Sequence, residues 1–374
     1  MKSITKIAFL GTRGIPAKYG GFETAVQEIS TRLTDTFSVS VYCRDKGAND
    51  YLGVRRIVVP AINSSSLETI SRTLVSTLHA IFILRPKVVV LMNSANAPFI
   101  PLLRITGIKV VAHVDGLEWM RPKWTGFRSK YSKWAEKRAC KWANEVIADS
   151  KAIKDHIFKS HNVEAVFIPY GAEQISVSLE RYAELATNFS SAISWKNYLL
   201  VVARWEPENH VVEIIEAHIE GAFTENLVVV GGSHYKSDYS NAIKKLATRS
   251  HKIVLLGSVW DKETLDALYC GAKAYIHGHS VGGTNPSLLR AMGAGPKLVS
   301  FDCEFNRETA NNSGLYWIDK HSLVTALSEL ENASEITQQE CHLLNTWDEI
   351  AMLYSECAMQ VLGFPDITKR IELK

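Results

Sequence analysis

Two stretches of this chain hold more polar side chains than a turn needs. The first runs His277-Gly-His279-Ser-Val-Gly282-Gly283-Thr284-Asn285-Pro286-Ser287. It follows an apolar run ending at His277 and leads into a helical pattern that includes Arg290. Thr284 or Asn285 is placed to cap that helix, with Pro286 in its first turn. The unpaired amides of such a turn make an anion site. The second stretch is Ala203-Arg204-Trp205-Glu206-Pro207-Glu208-Asn209-His210. Arg204 follows a strand and precedes a helix, where a guanidinium can neutralise a diphosphate leaving group. The same position also suits a surface arginine paired with Glu206 or Glu208.

The first half of the chain offers two further constellations. A Gly-rich loop from Gly11 to Thr24, with Gly14, Gly20 and Gly21, follows the first predicted strand. Small residues there let backbone approach a ligand. The spacing is not GxGxxG, so the dinucleotide fingerprint is absent. Most βα loops are much shorter, which favours a functional loop over a purely structural one. The segment His113-Val-Asp115-Gly-Leu-Glu118-Trp119 ends another predicted strand. An imidazole and two carboxylates at a strand's carboxyl end can bind sugar hydroxyls or stabilise developing charge. They can equally be a core histidine and a capping aspartate. No two aspartates lie at i and i+2, so a metal-chelating DxD is missing. We therefore expect no metal, and phosphate charge met by Arg, Lys and helix N-termini.

These groups need a scaffold, and the pattern supplies one. Short β-branched runs alternate with amphipathic stretches, the signature of parallel sheets with crossover helices. One cycle has strands at Lys6–Leu10, Ser38–Cys43, Arg56–Val59, Lys87–Leu91, Lys109–His113, Glu145–Ala148 and Ala165–Ile168. A second has Leu199–Ala203, Leu227–Val230, Lys252–Leu256, Ala274–His277 and Lys297–Phe301. The stretch from Gly171 to Ala192 lacks strong periodicity and reads as the linker. The resulting domains are 1–171, 172–346 and a C-terminal helical segment, 347–374. The expected fold is α/β, with two Rossmann-like parallel-sheet domains facing across a ligand cleft.

A length of 374 residues fits two domains, each large enough for a core. A net charge of +3 is too weak by itself to argue for nucleic acid, and none is expected as a partner. The six cysteines form neither a CxxC pair nor a zinc-type spacing. With no secretory signal or membrane-spanning run, they suggest a reducing, cytoplasmic setting.

Taken together, the motifs resemble the retaining GT-B glycosyltransferases of family 4. The resemblance is closest to the rhamnosyltransferase-like bacterial subgroup of capsule and O-antigen synthesis. It rests on Gly11–Thr24, Val114–Trp119, Glu206–Asn209, His277–Ser287 and Phe305–Glu308, and covers nearly the whole chain. It implies transfer of a sugar from a nucleoside diphosphate to a lipid-linked saccharide at the inner face of the plasma membrane. It also implies dTDP-L-rhamnose as co-substrate, no other cofactor, and a C-terminal helix, about Trp347 to Leu362, crossing back onto the first domain. The catalytic candidates are then His113, Asp115 and Arg204. The donor candidates are Gly14, Arg204, Asn209, Gly282, Gly283, Thr284, Asn285 and Arg290. The acceptor candidates are Tyr19, Gly20, Gly21, Phe22, Glu23 and Glu118.

Two departures from the broader family stand out. Gly282 and Arg290 stand where a pair of glutamates is usual, and Asn209 stands where a lysine is usual. Arg290 cannot accept from a ribose hydroxyl, so it is expected to reach the diphosphate or to pair with an acid such as Glu308. A nucleotide-sugar epimerase of the same fold, or a binding-only partner of another transferase, are the competing readings.

A last feature is the basic stretch 121–141, in which Glu136 is the only acid. Lys130, Lys133, Lys137 and Lys141 share a helical face, with Phe127, Tyr131, Trp134 and Trp142 mainly on another. Such a face suits either ordinary solvent exposure or an anionic membrane surface.

Overall fold

The computed structural model describes residues 4–17, 21–62, 68–114, 119, 126–186, 189, 193–233, 237–337, 340–341 and 344–364. Two units result. One comprises residues 1–171, 282–284 and 345–374; the other comprises 172–281 and 285–344.

The first unit is built on β1 (Lys6–Leu10), β2 (Ser38–Cys43), β3 (Asp50–Tyr51), β4 (Val54–Val58), β5 (Val88–Met92), β6 (Lys109–Val114), β7 (Glu145–Ala148) and β8 (Val166–Phe167). Their order in the sheet is β3-β4-β2-β1-β5-β6-β7-β8. All pairings are parallel except the short β3–β4 hairpin. β5 reads VVVLM and is buried throughout, as a strand covered by helices on both faces must be.

The second unit holds β9 (Tyr198–Val202), β10 (Asn226–Val230), β11 (Ile253–Gly257), β12 (Ala274–His277), β13 (Lys297–Phe301) and β14 (Leu315–Trp317). The order is β11-β10-β9-β12-β13-β14, and every pairing is parallel. Strand order reverses between β1 and β5 in one sheet and between β9 and β12 in the other. Ligands of open α/β sheets bind beyond the carboxyl ends of strands at such reversals.

The expected linker, residues 171–192, is irregular only in part. Helix Leu179–Ala186 occupies it, and Tyr182 and Leu185 are buried in the second unit's core with Tyr198 and Leu268. Its eight residues are too few to establish a period by eye. The edge strands β3 and β14 were also not expected, being only two and three residues long.

The last described helix, Trp347–Val361, starts with a capping box between Thr346 and Glu349, which satisfies two of its orphan amides. It belongs to the first unit and packs on helix Gly21–Arg32, where Arg32 Nε donates to Asp348 at 2.6 Å. A Cβ on Gly171 would lie 2.7 Å from the Trp347 ring, so only glycine fits there. Among the described residues no helix is long and apolar enough to cross a membrane.

Candidate active site

In the second unit, Arg204 and His279 lie just past the carboxyl ends of β9 and β12, the two strands at the reversal. Asn209 joins them. Its Nδ2 donates to Arg204 O at 2.8 Å, and its Oδ1 faces His279 Nδ1 at 2.7 Å. With the amide nitrogen committed, Oδ1 must accept, so His279 in its neutral form carries its proton on Nδ1. His210 and Ser280 add a second tie, Nε2 to Oγ at 3.0 Å, and Ser280 N donates to Glu208 O at 3.0 Å. Gly278 is required between the two histidines, because a Cβ there would lie 2.2 Å from Asn209 O. Asn306 Nδ2 then holds His279 O at 2.8 Å. Arg204 itself is exposed.

Asn209, expected among the donor ligands, is buried with its amide engaged inside this loop. Its place in the structure is to fix the Arg204 and His279 loops to each other.

Asn285 caps helix Pro286–Ala294, accepting from Ser287 N at 3.0 Å, with Pro286 at the helix start. Tyr275 Oη donates to Ser287 Oγ at 2.9 Å, tying the helix start to β12. Gly282, Gly283 and Thr284 fall with the first unit, where Thr284 Oγ1 donates to Asp149 O at 2.8 Å. Burial holds His277 neutral, its pKa lowered to about 3.

Arg290 pairs with an acid, one of the two roles expected for it, though the acid is not the one named. It pairs with Asp266, Nη2 to Oδ1 at 2.6 Å, and not with Glu308. Nη2 also donates to Lys262 O at 3.3 Å, and the guanidinium lies 6.0 Å from the centre of the Tyr269 ring. Asp266 and Arg290 sit on the neighbouring helices Lys262–Gly271 and Pro286–Ala294. The pair therefore joins two helices.

In the first unit, the loop after β1 is tightly held. Gly11 and Gly14 have φ of +94° and +95°, a region open to glycine. A Cβ at Gly11 would lie 2.1 Å from Met92 O, at the end of β5. Glu23, expected to face an acceptor, is buried at 8% exposure and accepts from Arg13 N at 3.2 Å. Gln27 accepts from Ala17 N at 2.8 Å, and Arg56 Nε donates to Ile15 O at 2.6 Å. Gly21 and Phe22 open helix Gly21–Arg32.

His113, expected to be catalytic, is fully enclosed at the end of β6. Its Nδ1 lies 2.5 Å from Tyr354 Oη and its Nε2 3.5 Å from Tyr170 Oη. Both tyrosine rings stack on the imidazole, and Phe22 meets it edge-on at 5.8 Å. Burial lowers its pKa to about 3. The ring is neutral and packed, which suits positioning Phe22 better than exchanging protons at neutral pH. Tyr19, Gly20, Asp115 and Glu118 lie outside the described residues.

Sequence reading missed Asn96, Tyr354 and Asp266. Asn96 Nδ2 donates to Met92 O at 2.9 Å, and its Oδ1 accepts from Thr73 at 2.8 Å. The only local signal was an Asn-rich turn directly after a buried strand, Asn93-Ser-Ala-Asn96.

Solved structures share this fold. Sucrose-phosphate synthase from Thermosynechococcus elongatus superposes with a TM-score of 0.78 at 16% identity, over 96% of this chain and 99% of that one. Anabaena HepE in complex with UDP and glucose gives 0.73 at 16%, over 95% and 100%. An α,α-trehalose-phosphate synthase (UDP-forming) from Burkholderia xenovorans, in complex with glucose-6-phosphate, gives 0.66 at 11%, over 95% and 100%. The fold is GT-B. A GT-B chain carries its two parallel-sheet units in one polypeptide, as this one does. A family model described as a domain of unknown function (DUF1972) matches residues 4–173. No curated protein matches the chain.

Proposed function

We propose that this GT-B protein is a retaining glycosyltransferase that moves a sugar from a nucleoside diphosphate to a saccharide acceptor. The observation that carries this reading is the second unit's switch point. There an exposed Arg204 is held by the Asn209 clamp beside His279 and the capped start of helix Pro286–Ala294. As the glycosidic bond breaks, negative charge grows on the leaving diphosphate. The Arg204 guanidinium and the positive end of that helix's dipole stabilise that charge. Asn285 supplies the cap of the helix that faces that anion. Coverage of nearly the full length of UDP- and sugar-bound GT-B structures supports the same reading.

The finer assignment is dTDP-L-rhamnose as donor and a lipid-linked saccharide as acceptor, in bacterial surface polysaccharide synthesis. Arg290 supports a deoxyribonucleotide. A guanidinium only donates, so at this position it offers no acceptor to a 2′-hydroxyl. The first unit would hold the acceptor, with Tyr19, Gly20, Gly21, Phe22, Glu23, Asp115 and Glu118 near it and Gly14 shaping the loop.

Helix Phe127–Trp142 supports docking on the cytoplasmic face of an anionic membrane. Lys130, Lys133, Lys137 and Lys141 are exposed, while the stretch's one acid, Glu136, is buried. Helix Ile100–Ile105 packs against it and exposes Leu102 and Ile105. The test of the donor assignment is incubation of the purified chain with dTDP-rhamnose, UDP-glucose and other nucleotide sugars, reading nucleoside diphosphate release with and without lipid-linked acceptor. Release from dTDP-rhamnose above all others supports it; preference for a UDP-sugar overturns it.

A further inference from the structure

One buried cluster of the first unit has no part in glycosyl transfer as described. Glu136, on helix Phe127–Trp142, has a side chain only 3% exposed, yet among the described residues no Lys or Arg pairs with it. Two imidazoles from helix Lys151–His161 converge on one of its oxygens instead. His156 Nε2 is 2.8 Å and His161 Nε2 2.9 Å from Glu136 Oε1. The other oxygen, Oε2, accepts from Trp119 Nε1 at 3.0 Å, which fixes how the carboxylate is turned.

Residues five apart do not share a helix face, so the two rings reach the carboxylate from different directions. His161 is the helix's last residue, and the chain reverses at Asn162 in the left-handed region, φ 53°. The two rings stand nearly perpendicular, with centres 5.9 Å apart. One atom from each of the three side chains lies within 4.8 Å of the other two.

We propose that Glu136, His156 and His161 form a binding site for a zinc-class divalent cation that fastens these two helices together. Two imidazole nitrogens and one carboxylate oxygen are a borderline donor set, matched to Zn²⁺ and its transition-metal neighbours, not to Mg²⁺ or Ca²⁺. Zinc takes such ligands at about 2.0–2.2 Å in a tetrahedron, which sets them roughly 3.4 Å apart. The two contacts of 2.8 and 2.9 Å need to open by only about half an ångström. Water fills the fourth position. On binding, each neutral imidazole takes the Nδ1–H tautomer, its proton moving from Nε2 to Nδ1 by way of solvent, so that the Nε2 lone pair faces the metal with no net proton released. Trp119, bonded to the same carboxylate, couples the cation to the segment between β6 and the basic helix. The site stands independently of the proposed transfer reaction.

The test uses the full chain, stripped with EDTA and dialysed, then titrated with Zn²⁺ by calorimetry and with Co²⁺ by visible absorption. The expected result is one equivalent bound, with cobalt d–d bands and no sulfur-to-cobalt charge transfer. His156→Ala, the more exposed of the two histidines, should weaken binding at least about 10-fold, as even a lost outer-shell partner does. Glu136→Gln should do the same. Should Glu136→Gln fail to fold, the His156→Ala titration and the cobalt spectrum of the native chain decide alone. No saturable equivalent, a thiolate charge-transfer band, or unchanged affinity in His156→Ala overturns the proposal.

Discussion

Arg290 and Asp266 form a half-buried ion pair in which both Nε, at 2.8 Å, and Nη2, at 2.6 Å, reach the same carboxylate oxygen. The position where the family resemblance leads one to expect a glutamate is thus committed to joining two helices. Arg290→Glu should destabilise the second unit, because it sets a second carboxylate against Asp266. Arg290→Glu with Asp266→Ser relieves that repulsion and restores an acceptor. In calorimetry the native chain should bind dTDP more tightly than UDP. The double variant should narrow the gap by up to about 1.5–3 kcal/mol, the range of a hydrogen bond to a charged group. Equal or tighter UDP binding by the native chain would refute the argument.

Arg204 should matter more to the transition state than to the bound donor, because charge on the diphosphate rises as the sugar leaves. Arg204→Ala should lower kcat about 10²-fold or more, with a smaller change in donor Kd, by analogy with losing one preorganised donor. Unchanged kcat would place Arg204 among ordinary surface arginines.

Much of the scaffold was legible in the sequence because buried parallel strands leave continuous β-branched runs, such as Val88–Met92 and Tyr198–Val202. The helix cap at Asn285 was legible as one of two candidates, since capping is local. What was not legible depends on distant partners. Asn209 and His279 are 70 residues apart, and Arg290 finds Asp266 on the preceding helix, not the expected Glu308. The enclosure of His113 comes from Tyr354, 241 residues away. Its motif announced a strand end and a polar group, but no local pattern reveals that two tyrosines close over it.

Stability should fall as pH drops below about 6.5. His113 and His277 have folded pKa values lowered to about 3 by burial. Between that value and about 6.5, the unfolded chain binds a proton on each that the folded chain does not, so unfolding is favoured as pH falls. Each contributes a slope of up to about 1.4 kcal/mol per pH unit in that window. Urea unfolding of His277→Asn at pH 7, 6 and 5 should show a shallower loss than the native chain. An identical slope would contradict the assignment, whatever the variant's stability at pH 7.

Membrane docking should be electrostatic in character. Each Lys near an anionic surface contributes roughly 1 kcal/mol, and salt screens it. In liposome flotation the chain should bind anionic vesicles, release as salt rises, and lose binding when Lys130, Lys133, Lys137 and Lys141 become Gln. Equal binding to neutral vesicles would count against it.

The most direct measurement of the central claim is glycosyl transfer by the purified chain from dTDP-rhamnose to a lipid-linked acceptor, assayed in EDTA, with the anomeric configuration of the product read by NMR. The account predicts turnover in EDTA without Mg²⁺ or Mn²⁺, with retention at the anomeric carbon and dependence on Arg204. No transfer from any nucleotide sugar, inversion at the anomeric carbon, or activity lost in EDTA and restored by Mg²⁺ or Mn²⁺ would contradict it.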